Sequence, residues 1–306
     1  MSLPALRVLR RSYPKAWISL LVDKKVAGLF RDHPDLDEVI AVDATELARS
    51  GVERRKLVRE VRKARFDMGI VSNPSKFFHW LLFSAGIPVR VGWRRKWPFL
   101  LNRTLPDSRR PMMGHEIDAH LALAGLVSDD KWDGKIQMAA NSKAEEKVRA
   151  LLQPLNPNLP VVAVHTGSSN PQKKWPNERF AVFGGLLLSS QRGQLVLIGG
   201  EEEAASSQRI AAQVSGPCLD LTGRLSLEEL AAFFKHPLVR TLVSSDSGPV
   251  HVAWMSGKPV VALYAKNTTG SNPARWGPRD GVSEVIFKAM NDITVEEVWE
   301  RVQRFL

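Results

Sequence analysis

Short apolar runs alternate with helix-periodic stretches along the whole chain, and this alternation limits the fold more than any other feature. Before residue 153, strand-like runs lie at Ala16–Val22, Glu38–Val42, Asp67–Val71 and Val89–Gly92. Helical patterns lie at Leu3–Tyr13, Val26–Phe30, Glu46–Ala64, Phe77–Ala85, His115–Ala124 and Ser142–Leu152. Then comes Gln153-Pro154-Leu155-Asn156-Pro157-Asn158-Leu159-Pro160, whose three prolines can neither continue a helix nor pair in a central strand, so it reads as a linker. The alternation restarts with strands at Val161–His165, Gln194–Ile198, Cys218–Leu221, Val239–Ser244 and Pro259–Tyr264. Helices are expected at Pro176–Ser190, Glu201–Val214, Leu227–His236, Pro249–Met255 and Val295–Phe305. Strands that are short and apolar throughout, separated by helices, imply parallel sheets covered on both faces. The 306 residues therefore divide into two Rossmann-like α/β domains facing each other across a cleft, 1–152 and 161–306, with 153–160 between them.

Composition removes other classes. Cys218 is the one cysteine, so no intramolecular disulfide forms and nothing argues for secretion. The longest apolar candidate, Val239–Tyr264, is broken by Ser244, Ser245, Asp246, His251 and Lys258, so no run spans a bilayer. Arg7, Arg10 and Arg11 interrupt any signal-peptide core, which places the chain in the cytoplasm. The net charge of +11 is concentrated: Gly51–Arg110 carries 15 basic and four acidic residues. Such a block attracts anions, whether nucleic acid, a lipid surface or a phosphorylated substrate. Around Arg54–Arg65 a solvated helix face accounts for it. The run Val91-Gly92-Trp93-Arg94-Arg95-Lys96-Trp97-Pro98-Phe99 is different: indole rings beside cations suit a lipid–water interface, and a loop that packs its two tryptophans into the core accounts for it equally well. Arg90, Arg94, Arg95 and Lys96 are the candidate anion ligands there.

In open parallel sheets, ligands bind beyond the carboxyl ends of the strands. The loop His165–Pro176 leaves a strand, passes Gly167, Ser168 and Ser169, offers Lys173 and Lys174, and enters a helix. A helix N-terminus supplies free N–H groups and a partial positive charge, which suits phosphate; no Gly-Lys-Ser makes it a P-loop. In Ser244–His251, Asp246 accepts from a sugar hydroxyl or caps the helix, Ser247 and Gly248 suit phosphate, and His251 lies on the first helical turn. Gly199-Gly200-Glu201-Glu202-Glu203 comes directly after the second strand, where an acid commonly holds a ribose; first-turn acids also favour the helix dipole. In Thr222–Glu228, Ser226 is a candidate N-cap and Leu225 a surface for a base. His115 and His120 resemble a zinc helix, but five residues at about 100° each separate them by about 140°, too far for a shared metal. No metal site is expected.

Taken together, His165-Thr166-Gly167-Ser168-Ser169, Lys173-Lys174-Trp175-Pro176, Gly199-Gly200-Glu201, Leu221-Thr222-Gly223 and Asp246-Ser247-Gly248-Pro249-Val250-His251 resemble glycosyltransferase family 9, the ADP-heptose:lipopolysaccharide heptosyltransferases. Gly257–Tyr264, Arg275-Trp276-Gly277-Pro278, Leu6–Pro14, Pro34–Val39 and Ala85–Gly92 continue the resemblance over nearly the whole chain. It implies a GT-B fold and an inverting, metal-independent transfer of heptose from ADP-heptose to the Kdo-lipid A inner core, at the cytoplasmic leaflet of the inner membrane, with no cofactor and no nucleic-acid partner. Carried over by position, Ser168, Ser169, Lys173, Ser247 and Gly248 hold the diphosphate, Glu201 the ribose, Leu225 the adenine, and Asp246 and His251 the sugar. The family opens with a strand and then Gly-Asp-Val, whose Asp is the expected base. Met1-Ser2-Leu3-Pro4 matches the family's segment just past that motif, so the resemblance implies a first domain missing its first strand and places the base before Met1. No catalytic residue is therefore assigned within the chain. An inactive nucleotide-sugar-binding protein and a sugar-nucleotide epimerase are the alternatives.

Overall fold

A computed structural model describes residues 1–107, 114–139, 141–168 and 170–306. The chain forms two compact units, Met1–Lys135 and Ile136–Leu306.

In the first unit, α1 (Leu3–Ser12) precedes two parallel strands, β1 (Ser19–Asp23) and β2 (Glu38–Val42), paired from Ser19↔Glu38 to Asp23↔Val42. The single helix expected over Glu46–Ala64 is two, α2 (Ala44–Arg49) and α3 (Gly51–Ala64). Asp43 accepts from the Thr45 and Glu46 N–H groups, and Ser50 from the Glu53 N–H at 3.2 Å. Each therefore starts a helix of its own, and Ser50 ends the first. A second sheet comes next: β3 (Met68–Val71), α4 (Lys76–Ser84), β4 (Val89–Trp93) and β5 (Arg103–Leu105), all strands parallel in the order β3-β4-β5. α5 (Glu116–Ala124) packs on α1 through Ala5, Val8 and Ala124. Trp93, 1% exposed, donates its Nε1–H to the Ser72 carbonyl at 2.9 Å and ties the exits of β3 and β4 together.

The free edges of β1 and β3 both line one largely apolar cavity of about 820 Å³, closed by Leu6 and Leu9 of α1 and by Phe78, Leu81 and Leu82 of α4. No described strand lies between them.

The second unit starts with α6 (Ser142–Leu152) and continues through β6 (Val161–His165), α7 (Asn177–Ser189), β7 (Gln194–Ile198), α8 (Ala204–Gln213), β8 (Cys218–Asp220), α9 (Leu227–Lys235), β9 (Val239–Ser245), α10 (Gly248–Met255), β10 (Val260–Ala265), α11 (Pro273–Trp276), β11 (Glu284–Lys288) and α12 (Val295–Val302). Its parallel sheet runs β11-β10-β9-β6-β7-β8. β6, β7 and β10 are buried at every residue, as a sheet with both faces covered requires. Trp175 anchors one face, with its ring edge-on to Phe180 at 4.7 Å and its Nε1–H donated to the Ile293 carbonyl at 3.0 Å.

The two compact units meet at Lys135/Ile136, ahead of the segment 153–160 expected as the linker. α6, placed in the first domain by sequence, packs on α9, where Lys147 pairs with Glu229 at 2.9 Å. The proline segment is fastened rather than free. The Gln194 amide donates to the Asn156 and Leu159 carbonyls, both at 2.8 Å, and its carbonyl accepts the Asn156 N–H at 2.7 Å.

Candidate functional site

β6 comes first in its sheet; β7 and β8 are then added on one side, and β9, β10 and β11 on the other. The direction of winding reverses between β6 and β9, whose carboxyl ends splay their loops apart at a switch point. His165 ends β6 opposite Ser244 of β9.

Three polar groups meet there. His165 Nδ1 lies 3.1 Å from Ser244 Oγ and 3.2 Å from Ser247 Oγ, and the two hydroxyls are 2.9 Å apart. Burial, with the Lys174 charge nearby, pushes the His165 pKa down to about 4, so the ring is neutral at neutral pH. Ser247 precedes α10 but makes no side-chain cap bond, because its hydroxyl is turned into this cluster. The first N–H groups of α10 thus keep the free donors and partial positive charge of an uncapped helix start.

Lys173 ends a 3-10 turn, Pro171–Lys173, capped by Asn170, whose Oδ1 accepts the Gln172 N–H at 3.0 Å. Its Nζ sits 2.9 Å from Asp246 Oδ2, with both side chains mostly shielded from water. Asp246 is therefore a partner of Lys173 and not the helix cap that sequence left open. Lys174 turns the other way, to Ser206 Oγ of α8 at 3.0 Å. Thr166 buries its hydroxyl beside this loop with no hydrogen-bond partner among the described residues.

The loops after β6 and β7 touch. A Cβ on Gly167 would come within 2.3 Å of Glu203 Oε1, so the Glu203 side chain packs directly on the glycine and would have to shift for any larger residue. Glu203 also accepts the Gly200 N–H at 2.8 Å, and burial pushes its carboxyl pKa up. Glu201 is exposed and lies against Gly223, whose φ of +72° bends the loop leading to the half-buried Leu225. His251 sits on the first turn of α10, its ring centroid 6.3 Å from that of Trp276.

The structure thus unites Lys173 with Asp246, and sets Ser247 and Gly248 at the start of α10. It places Glu201 beside the loop of Leu225. Ser168 lies half-buried after Gly167, while Ser169 lies outside the described residues. Sequence reasoning did not assign His165 or Ser244; a histidine ending a central strand was the available signal. Of the four basic candidates of the first unit, two are engaged within the protein. The Arg90 guanidinium donates to the Leu100 and Ile87 carbonyls, both at 2.7 Å, and Arg95 pairs with Asp107 at 3.2 Å. Arg94 and Lys96 remain exposed.

Two parallel α/β units, one with its loops gathered at a switch point, define a two-domain protein of Rossmann type. The comparisons make this specific: residues 54–302 match glycosyltransferase family 9 (heptosyltransferase), and the chain is a glycosyltransferase belonging to that family. It is 28% identical over 292 residues to lipopolysaccharide heptosyltransferase 2 of Escherichia coli K12, covering 89% of this chain and 81% of that one. Its fold matches the family 9 glycosyl transferase structure from Veillonella parvula with a TM-score of 0.88 at 22% identity, over 99% of this chain and 92% of the other. The structure of E. coli ADP-heptose LPS heptosyltransferase II matches with a TM-score of 0.82 at 24% identity, over 99% and 93%. These likenesses are to GT-B proteins. Among the described residues no helix is long and apolar enough to cross a membrane.

Proposed function

We propose that this glycosyltransferase moves heptose from ADP-heptose to the Kdo-lipid A inner core of lipopolysaccharide, at the cytoplasmic leaflet of the inner membrane. The observation that carries the reading is the shielded Lys173–Asp246 pair beside the uncapped start of α10, at the switch point of the second sheet. Lys173, Ser168, Ser247 and the Gly248 N–H take the diphosphate, whose charge grows as the sugar leaves; cation and amides neutralise it without a metal. Glu201 holds the ribose and Leu225 the adenine. Asp246 and His251 hold the sugar hydroxyls, with Asp246 also aiming the lysine. The transfer is a single inverting displacement. No side chain of this chain is assigned as its base.

The test is transfer from ADP-heptose to Kdo-lipid A, with calorimetry of ADP binding beside it. Lys173→Ala removes a charge-assisted hydrogen bond and is expected to weaken ADP binding by about tenfold to a hundredfold. Unchanged affinity overturns the phosphate role. ADP-heptose binding without transfer reduces the chain to a nucleotide-sugar-binding protein, and isomerised donor without acceptor makes it an epimerase.

A further inference from the structure

Three large aromatic side chains of the first unit stand in water together: Phe83 at 53% exposure, Trp97 at 43% and Phe99 at 75%. Phe83 is in the last turn of α4, and the 3-10 turn Pro98–Leu100 packs on that helix. The Trp97 and Phe99 rings are 6.3 Å apart. Each end of the group carries a cation over a ring: Lys76 Nζ is 5.3 Å from the Trp97 centroid, and Arg90 Cζ is 5.6 Å from that of Phe83.

The arrangement is braced from below. Arg90 donates to the Leu100 and Ile87 carbonyls, and Asn102 donates to the Pro88 carbonyl at 2.6 Å while accepting the Arg90 N–H at 2.8 Å. Lys96 and Trp97 both hold left-handed backbone, φ +50° and +65°, a conformation that such residues rarely adopt. That pair of residues turns the indole outward instead of into the core, where a tryptophan would ordinarily gain more. Exposed aromatic groups of this size mark a docking surface. The surrounding charge says what docks: Lys76, Arg90 and Lys96 ring the rings, and the Gly51–Arg110 segment has 15 basic residues against four acidic. The acid nearest in the chain, Asp107, is bound to Arg95.

We propose that this face, Phe83, Trp97 and Phe99 with Lys76, Arg90 and Lys96 about them, seats the protein on an anionic lipid bilayer. The rings enter to headgroup depth and the cations meet lipid phosphates. The inference deepens the reading of a membrane-borne acceptor and rests on it for its purpose, but it names a surface separate from the donor loops.

The experiment is co-sedimentation of the full chain with phosphatidylcholine vesicles, with and without phosphatidylglycerol and free of any acceptor. Binding is expected only with phosphatidylglycerol, and salt should weaken it. The double variant Trp97→Ser/Phe99→Ser should lose about tenfold or more in partitioning, and Lys76→Gln about fivefold. Unchanged ADP binding and melting temperature certify that the variants are folded. Equal partitioning of the double variant and the parent overturns the proposal, as does binding to neutral vesicles alone. So does a parent dimer that Phe99→Ser splits, because the face then belongs to a second copy. Transfer to a deacylated, water-soluble acceptor separates the two readings: its failure with vesicle binding intact removes the function and leaves the surface standing.

Discussion

The two units of this protein are wound alike and completed differently. In the second unit the first strand, β6, takes the centre; β7 and β8 go to one side and β9, β10 and β11 to the other. In the first unit β1 and β2 stand together, as do β3, β4 and β5, and the centre between β1 and β3 is a cavity of about 820 Å³. The first unit has no counterpart of β6 among its described residues. The difference shows what a central strand contributes. β6 satisfies the backbone of both neighbours and buries five consecutive side chains. Without such a strand, β1 and β3 each turn an unpaired row of N–H and C=O groups toward an apolar space, which is a liability in any parallel sheet.

The two units should differ most in what one truncated apolar side chain costs each of them. Trp175→Ala removes a fully buried ring from the filled unit and should cost about 3–5 kcal/mol in a denaturant titration. Leu20→Ala, on the half-buried wall of the cavity, should cost under about 1 kcal/mol, since little packs against it. Equal losses would mean that the two units are equally packed.

Acid tests the buried ring at the end of β6. The His165 pKa falls from 6.5 unfolded to about 4 folded because burial opposes its charged form. The unfolded state therefore binds more protons between those values. The stabilisation is full above pH 6.5 and is lost as pH falls toward 4, a total of about 3 kcal/mol. The low carboxyls of the first unit are at its surface: Asp43, held down to about 2 by Lys24, and Asp133, held there by Arg7. They lose their effect only below about pH 4. Urea titrations at pH 7 and pH 4.5 should thus find the second unit weaker at the lower pH, and the first unit weakened as well through His79, whose pKa burial also lowers. In His165→Gln the second unit's dependence should shrink to the part that His236, also lowered by burial, contributes, and an unaltered slope would remove His165 as a cause.

The smallest expected effect is kinetic. Amides of β1 and β3 should exchange with deuterium about tenfold or more faster than those of β6 and β9, because one edge of each lacks a ladder. Uniform protection across both units would show the cavity edges to be closed in solution.

Much of this was legible in the residues. Glycines and hydroxyls directly after apolar runs marked the loops of the second unit, because parallel strands put their ligand groups at that end. What pattern could not settle was direction. Lys173 and Lys174 are adjacent and chemically equal, and only the capped 3-10 turn aims one at Asp246 and the other at Ser206. Ser50 is a single serine inside a long amphipathic period, and its capping bond splits the helix there. β5 and β11 escaped notice because each is an edge strand with a very short apolar stretch: β5 is three residues long, and β11 has only Val285–Phe287 between Glu284 and Lys288. The amphipathic face of α6 announced that it packs, but not that its partner is α9. Prolines suggested a hinge where Gln194 has made a clasp.

That clasp decides where the gene can be cut. A fragment begun after Pro160 would leave α6 behind, strip Lys147 from Glu229 and lay bare the face of α9 that α6 covers. The natural scissor mark lies some twenty-five residues earlier, between Lys135 and Ile136, in a stretch with no proline to advertise it.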